Sequence, residues 1–333
     1  MKITFFEVED WQKDYLKDKF SNEELSFFTE PLSLDNVGSA RGCSIVSPFI
    51  YSQINKDILQ KLPSLEMIAT RSTGFDHIDI ETAKENKVVV CNVPFYGENT
   101  VAEHTFALIL ALSRKLFDSV ERSRKGDFTL DGLRGFDLKD KTLGIVGLGH
   151  IGLHVARIAK GFEMKVLAYD LRQDKKVAKK IGLEYVELKD LLAKSDIITL
   201  HSPDNKETHH LINSDNIGLI KKGAYLINTA RGGLIETQSL LRALSGGILA
   251  GVGLDVLEEE CFVKEEAQLL SKEFPKTCDL KTVLQNHILL QQKNVIITPH
   301  NAFNSNEALI RILDTTVENI MGFIKKRAQN VVR

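Results

Sequence analysis

The ten residues Leu143-Gly144-Ile145-Val146-Gly147-Leu148-Gly149-His150-Ile151-Gly152 constrain this chain more than any others. An apolar strand there runs straight into G-x-G-x-x-G. Gly147 permits a tight turn, Gly149 lets the backbone approach a pyrophosphate with no Cβ in the way, and Gly152 lets the next helix pack against the strand. The pattern over Leu153–Lys160 predicts that helix. Its first turn, with His150 and Ile151, offers unpaired N–H groups and a partial positive charge to phosphate. A second strand ends at Asp170, 23 residues after Gly147, close to the ~20 expected for a carboxylate on an adenosine ribose. The set predicts a dinucleotide site. Asp170 would repel a 2′-phosphate and so favours NAD over NADP, a preference that Arg172, Lys175 and Lys176 close behind it can soften.

A chain of 333 residues predicts about two domains and can bury a core without disulfide or metal staples. With 43 basic against 45 acidic residues, neither a nucleic-acid footprint nor a polybasic membrane patch is expected. Cys43, Cys91, Cys261 and Cys278 are widely spaced and read as reduced thiols of a cytoplasmic protein. No signal-peptide core follows the N-terminus, and the most apolar stretch, 106–112, is far shorter than the ~20 residues a membrane span needs.

Short β-rich runs alternate with helical patterns, which predicts parallel α/β architecture. The first series has strands near 3–6, 26–29, 44–47, 67–69 and 88–91. One long helix is expected over 99–122, capped by Asn99 or Thr100. The second series has strands near 143–146, 166–169, 197–200, 225–228, 252–255 and 295–298. Residues 261–293 read as a helical excursion, with helices near 264–273 and 280–291. The amphipathic segment 305–326 has no strand of the second series left to serve, so it is expected to return to the first.

Three residues of the second series stand at or just beyond strand ends: Arg231 after Asn228-Thr229-Ala230, Glu260 beyond Asp255, and His300 after Thr298-Pro299. In an open α/β sheet the ligand crevice lies outside the carboxyl ends of the strands. Singly, each has an ordinary alternative: a surface arginine, a solvated charge run, a hydrogen-bonded structural histidine. Together they suit hydride transfer to or from a 2-oxo acid. A guanidinium can clamp the carboxylate, an imidazole can move the proton, and a carboxylate can orient the imidazole and raise its pKa. His77, His104, His209 and His210 lack ligand spacing such as H-E-x-x-H, so no metal is expected.

Arg71-Ser72-Thr73-Gly74-Phe75-Asp76-His77-Ile78-Asp79, Val101-Ala102-Glu103-His104, the 147–170 fingerprint, 227–233, 253–260 and Thr298-Pro299-His300-Asn301-Ala302 together resemble the D-isomer-specific 2-hydroxyacid dehydrogenases, most of all their D-lactate dehydrogenase branch. The resemblance covers essentially the whole chain. It implies two Rossmann-like doubly wound parallel-sheet domains with a cleft between them. Residues 1–98 plus 300–333 would bind substrate and 99–299 would bind NAD. It assigns substrate clamping to Arg231 and acid/base work to Glu260 and His300. Thr73 and Gly74 match the carboxylate-binding loop, and Tyr96 and Phe303, with Phe49 a weaker match, the pocket wall. His201, Pro203, Thr229, Ala230 and Asp255 match segments lining the cofactor. A homodimer paired through the helix after residue 99 and its adjoining loop is also implied.

Within the family, Glu260 stands where the formate-oxidising branch has glutamine, and no regulatory domain of the phosphoglycerate type is expected. Pyruvate reduction to D-lactate is the leading expectation. Reduction of 2-oxoisocaproate, phenylpyruvate, glyoxylate or hydroxypyruvate stays open, since one methylene in an apolar pocket is worth only ~1–3 kcal/mol. Phosphite oxidation and an NAD-binding corepressor are the remoter alternatives.

Overall fold

The computed structural model describes residues 1–259 and 279–332. The chain divides into two units, Met1–Tyr96 with Ser305–Arg333, and Gly97–Asn304.

The first unit is a five-stranded sheet of β1 (Lys2–Phe5), β2 (Glu24–Phe27), β3 (Ile45–Ser47), β4 (Met67–Ala69) and β5 (Val89–Cys91), in the order β2-β1-β3-β4-β5. Every pairing is parallel. Strand side chains alternate between two cores, as a pleat buried on both faces requires. Ile3, Phe5, Ile45 and Met67 face α1 (Asp10–Lys19). Val46, Ile68 and Val90 face α2 (Lys56–Lys61) and α3 (Ile80–Glu85).

The second unit orders β6 (Thr142–Val146), β7 (Lys165–Tyr169), β8 (Glu184–Tyr185), β9 (Ile197–Leu200), β10 (Ala224–Asn228), β11 (Leu249–Leu254) and β12 (Val295–Ile297) as β12-β11-β10-β9-β6-β7-β8. All pairings are again parallel. The direction of winding reverses between β6 and β9. That is the topological switch point, where a ligand crevice opens at the carboxyl ends. One core holds Leu143, Ile145, Ile197 and Ile227 against α4 (Glu98–Ser113) and α6 (His150–Gly161). The other holds Ile198, Leu226, Val252 and Leu254 with α8 (Leu188–Lys194) and α9 (Thr237–Ser245). The short helix between β7 and β8 is α7 (Lys175–Ile181).

The helix expected over 99–122 is two helices, α4 and α5 (Leu116–Arg124), with Lys115 left-handed between them at φ 49°. The break has a tertiary cause. The Ser113 carbonyl accepts the Phe136 N–H at 3.0 Å, and Gly135 lies so close that a Cβ would sit 2.1 Å from that carbonyl oxygen. α4 is preceded by Gly97, not capped by Asn99 or Thr100. Two-residue β8 was not anticipated because no periodicity is visible over so short an edge strand. In the excursion, α10 (Leu280–Leu290) forms with Asp279 accepting from the Thr282 N–H. The helix expected near 264–273 lies outside the described residues. The last helix, α11 (Asn306–Ile324), buries Leu313 and Ile320 in the core of the first sheet beside Leu16 and Phe20.

Candidate active site

The glycines of the 147–152 loop are required by different neighbours. Gly147 is left-handed at φ +90°, and a Cβ there would meet the His201 carbonyl carbon at 2.8 Å. A Cβ on Gly152 would lie 2.3 Å from the Gly147 carbonyl oxygen. Gly149 differs: its φ of −73° suits any residue, and a Cβ would meet no protein atom within 4 Å. Nothing in the chain demands glycine there, whereas a pyrophosphate approaching the backbone would. The loop leads into α6 with His150 and Ile151 in the first turn. Asp170, just after β7, accepts the Leu148 N–H with Oδ2 and the Arg172 N–H with Oδ1, each at 2.7 Å. Its carboxylate therefore fixes the loop at the switch point. These residues fit a dinucleotide's pyrophosphate and ribose.

His201 and Pro203 follow β9, the 229–231 turn follows β10, Asp255 follows β11 and His300 lies just beyond β12. Parallel strands put all of them on one rim. His201 Nε2 lies 2.9 Å from Thr199 Oγ1, and burial pushes its imidazole well below the usual histidine range, so it is neutral at pH 7. Thr229 Oγ1 bonds Thr105 Oγ1 of α4 at 2.9 Å. Buried Asn228 shapes the turn, its Oδ1 accepting the Ala230 N–H and its Nδ2 donating to the Arg231 carbonyl. Arg231 Nη1 donates to the Ala230 carbonyl at 2.8 Å. At Gly232 a Cβ would fall 1.8 Å from the Leu257 carbonyl oxygen, so the turn rests directly on the segment that leads toward Glu260. Glu260 itself lies outside the described residues.

Asp255 is 1% exposed. Its Oδ1 accepts the Thr298 hydroxyl (2.5 Å) and the Asn301 N–H (3.0 Å), and its Oδ2 accepts the Ala302 N–H (2.9 Å). His104 of α4 approaches both Thr298 Oγ1 (3.1 Å) and Asp255 Oδ1 (3.5 Å). Burial alone would raise the Asp255 carboxyl, but these bonds from His104, Thr298 and the two amides outweigh it and hold the group below the usual carboxylate range. The loop from Thr298 to Ala302 thus wraps one buried anion, with His300 at its apex in a left-handed conformation, φ 51°. Asp255 entered the sequence reading only as a cofactor-lining match. In the structure it anchors the His300 loop. The supporting residues Asn228, His104 and Thr298 lie within the matching motif stretches, but nothing in the sequence marks the bonds they make.

In the first unit, Thr73 Oγ1 donates to the Val93 carbonyl, Asn92 Nδ2 to the Thr73 carbonyl and Ser72 Oγ to the Gly74 carbonyl. The preceding Arg71 is 2% exposed. Its guanidinium donates to the Ser47, Phe6 and Glu7 carbonyls. Burial pushes it down to about 10 against the pull of Glu7, so it stays charged at pH 7. Glu7 in turn accepts the Phe49 and Tyr51 N–H groups and the Ser52 hydroxyl. One buried cation and one carboxylate thereby tie the loops after β1, β3 and β4 together. The Tyr96 carbonyl accepts from Arg311 Nε of α11 at 2.6 Å. Phe303 belongs to the second unit.

Comparisons with known proteins agree with this geometry. Residues 106–302 match the family model described as D-isomer specific 2-hydroxyacid dehydrogenase, NAD binding domain. A 2-hydroxyacid dehydrogenase homolog of Haemophilus influenzae is 36% identical, the alignment covering 96% of this chain and 95% of that one. The pyruvate reductase of Chlamydomonas reinhardtii superposes with a TM-score of 0.88 at 36% identity, covering 98% of this chain and 97% of that one. The D-lactate dehydrogenase of Aquifex aeolicus, solved with NAD and lactic acid, gives 0.84 at 37% identity, covering 98% and 96%. None of the described helices is long and apolar enough to cross a membrane. With a glycine loop, a carboxylate that fixes it and a charged rim on one doubly wound sheet, this chain belongs to the D-isomer specific 2-hydroxyacid dehydrogenases, NAD-dependent oxidoreductases.

Proposed function

We propose that the protein is a D-lactate dehydrogenase that reduces pyruvate to D-lactate, reversibly, with NADH. The observation that carries this reading is the pairing of Arg231, on an Asn228-locked turn, with His300, on an Asp255-locked loop, at the ends of strands of one sheet. The pyruvate reductase and D-lactate dehydrogenase structures among its relatives support the choice of substrate.

Bound NADH supplies the hydride. Gly147, Gly149, His150, Ile151 and Gly152 would receive the pyrophosphate on backbone N–H groups, and Asp170 the adenosine ribose. His201, Pro203, Thr229 and Ala230 would line the rest of the cofactor's path. Arg231 binds the substrate carboxylate as a bidentate fork. His300, protonated, donates to the carbonyl oxygen as it becomes a hydroxyl, and takes that proton back in the reverse direction. Glu260 is assigned to orient His300. Roles for Thr73 and Gly74 toward the carboxylate, and for Tyr96 and Phe303 toward the methyl group, complete the proposal. A cytoplasmic homodimer belongs to it too. In support, α5 and the residues after it expose the large apolar side chains of Leu116, Phe117, Phe128 and Leu130, the kind of surface that marks an interaction site.

The test is NADH oxidation with a panel of 2-oxo acids, followed by chiral analysis of the product. The expected result is the highest kcat/KM for pyruvate and D-lactate as product. A higher kcat/KM for 2-oxoisocaproate or phenylpyruvate would keep the family and overturn the substrate.

A further inference from the structure

Behind the Arg231 turn, three side chains from two separate segments converge. His209, His210 and Glu258 each place one potential ligand atom within 4.8 Å of the other two. His210 Nε2 and Glu258 Oε1 are 2.5 Å apart. The His209 and His210 rings stack at 4.1 Å between centroids. We propose that these three residues form a binding site for a divalent transition-metal ion of the Zn²⁺ type, beside the Gly232–Gly233 end of the Arg231 turn.

Ligand chemistry selects the ion. Two imidazoles and a carboxylate suit Zn²⁺, Ni²⁺ or Cu²⁺, whereas Mg²⁺ and Ca²⁺ prefer all-oxygen shells. With bonds of about 2.1 Å, two ligands of a tetrahedral zinc lie about 3.4 Å apart. Separations of up to 4.8 Å need to close by no more than about 1.4 Å, and the 2.5 Å contact between His210 and Glu258 needs to open by about 0.9 Å. His209 has a side chain that is 54% exposed, which leaves its ring room to turn toward a shared ion.

The outer shell is already in place. Asp204 Oδ1 faces His209 Nδ1 at 3.3 Å, which leaves Nε2 as the coordinating nitrogen, the usual carboxylate–histidine–metal order. Glu258 Oε2 accepts the Thr237 N–H (3.0 Å) and hydroxyl (2.6 Å), which orients Oε1 toward the histidines. The backbone is fixed as well. His210 is left-handed at φ 51°, its N–H donates to the Gly233 carbonyl at 2.7 Å, and its carbonyl accepts from Asn213 Nδ2.

A plain ion pair would need only His210 and Glu258. The second imidazole, held by its own carboxylate, supplies a third ligand atom that such a pair does not use, and coordination would turn its ring out of the stack. No short motif reveals the site, because the carboxylate is 48 residues from the histidine it meets.

The experiment is isothermal titration of the full-length protein, stripped with EDTA and desalted, with ZnCl₂. Binding of CoCl₂, followed by its visible absorption, reports the coordination geometry. We expect one Zn²⁺ per chain with a micromolar or lower Kd, and four-coordinate Co²⁺. In the His209→Ala variant the Kd rises at least about tenfold. Zn²⁺ also raises the melting temperature of the parent protein but not of the variant. The chain's four cysteines are the same in both proteins, so the difference isolates the histidine site. No parent site tighter than about 100 µM, or unchanged affinity and stoichiometry in His209→Ala, would overturn the proposal. Circular dichroism of the variant checks that it folds, and the binding readout is independent of the reaction the chain catalyses.

Discussion

His300 holds a backbone conformation that costs a non-glycine residue ~1–3 kcal/mol, and the bonds of its loop to Asp255 offset that cost. Two predictions separate the proposed proton donor from its support. His300→Ala is expected to lower kcat by about 10²–10⁴ with NADH affinity nearly unchanged, measured by steady-state kinetics and fluorescence titration. Asp255→Asn removes the charge and turns one acceptor into a donor facing donors, so kcat falls and the protein is less stable at neutral pH. The folded-state pKa of Asp255 is depressed. Its stabilisation is therefore present above the ordinary carboxylate range and is lost as pH falls through the folded value. Urea unfolding should show the gap between parent and Asp255→Asn narrowing below about pH 4; a gap that widens there would contradict the assignment. The placement of Arg231 and His300 on one rim was legible in the sequence because each lies just beyond a strand whose apolar run is unmistakable. The anchoring role of Asp255 was not, because it exists only once the Thr298–Ala302 loop folds back on the carboxylate.

Among the elements, the glycine loop separates what the fold needs from what a ligand needs. Gly152→Ala would drive a Cβ to 2.3 Å from a backbone carbonyl that cannot move aside. A loss of ~1–3 kcal/mol is expected, read as a fall in melting temperature of about 2–4 °C per kcal/mol. Gly149→Ala meets no protein atom, so its melting temperature should match the parent while NADH affinity falls about tenfold or more. Equal NADH affinity in Gly149→Ala would remove the pyrophosphate from that position. Strands β4 and β9 were read to the residue, since both are fully buried runs with clear flanks. The α4–α5 break was not read, because the apolar period runs on past Ser113 and the interruption comes from Gly135 and Phe136, more than 20 residues later.

For the whole molecule, topology was legible at the level of α/β alternation, and the strand order follows from right-handed crossovers once the switch point is fixed. Assembly is less legible, because a surface that pairs with another copy looks in sequence like any amphipathic helix. In the structure, Leu116 and Phe117 are 52% and 59% exposed, and Phe128 and Leu130 are 79% and 82% exposed. Side chains of that size left in water forgo ~1.5–3 kcal/mol each of burial. All four lie on one helix and the residues that follow it, and the proposed homodimer would bury them in an isologous interface, where the same patch on two copies covers itself. Light scattering after size exclusion should give about twice the 37.3 kDa chain mass. Replacing Phe128 and Leu130 by glutamate places like charges on the patch, so the double variant should elute with the mass of a single chain while its circular dichroism is unchanged. A parent protein that is already a single chain, or a double variant that remains paired, would show that these residues face solvent for another reason.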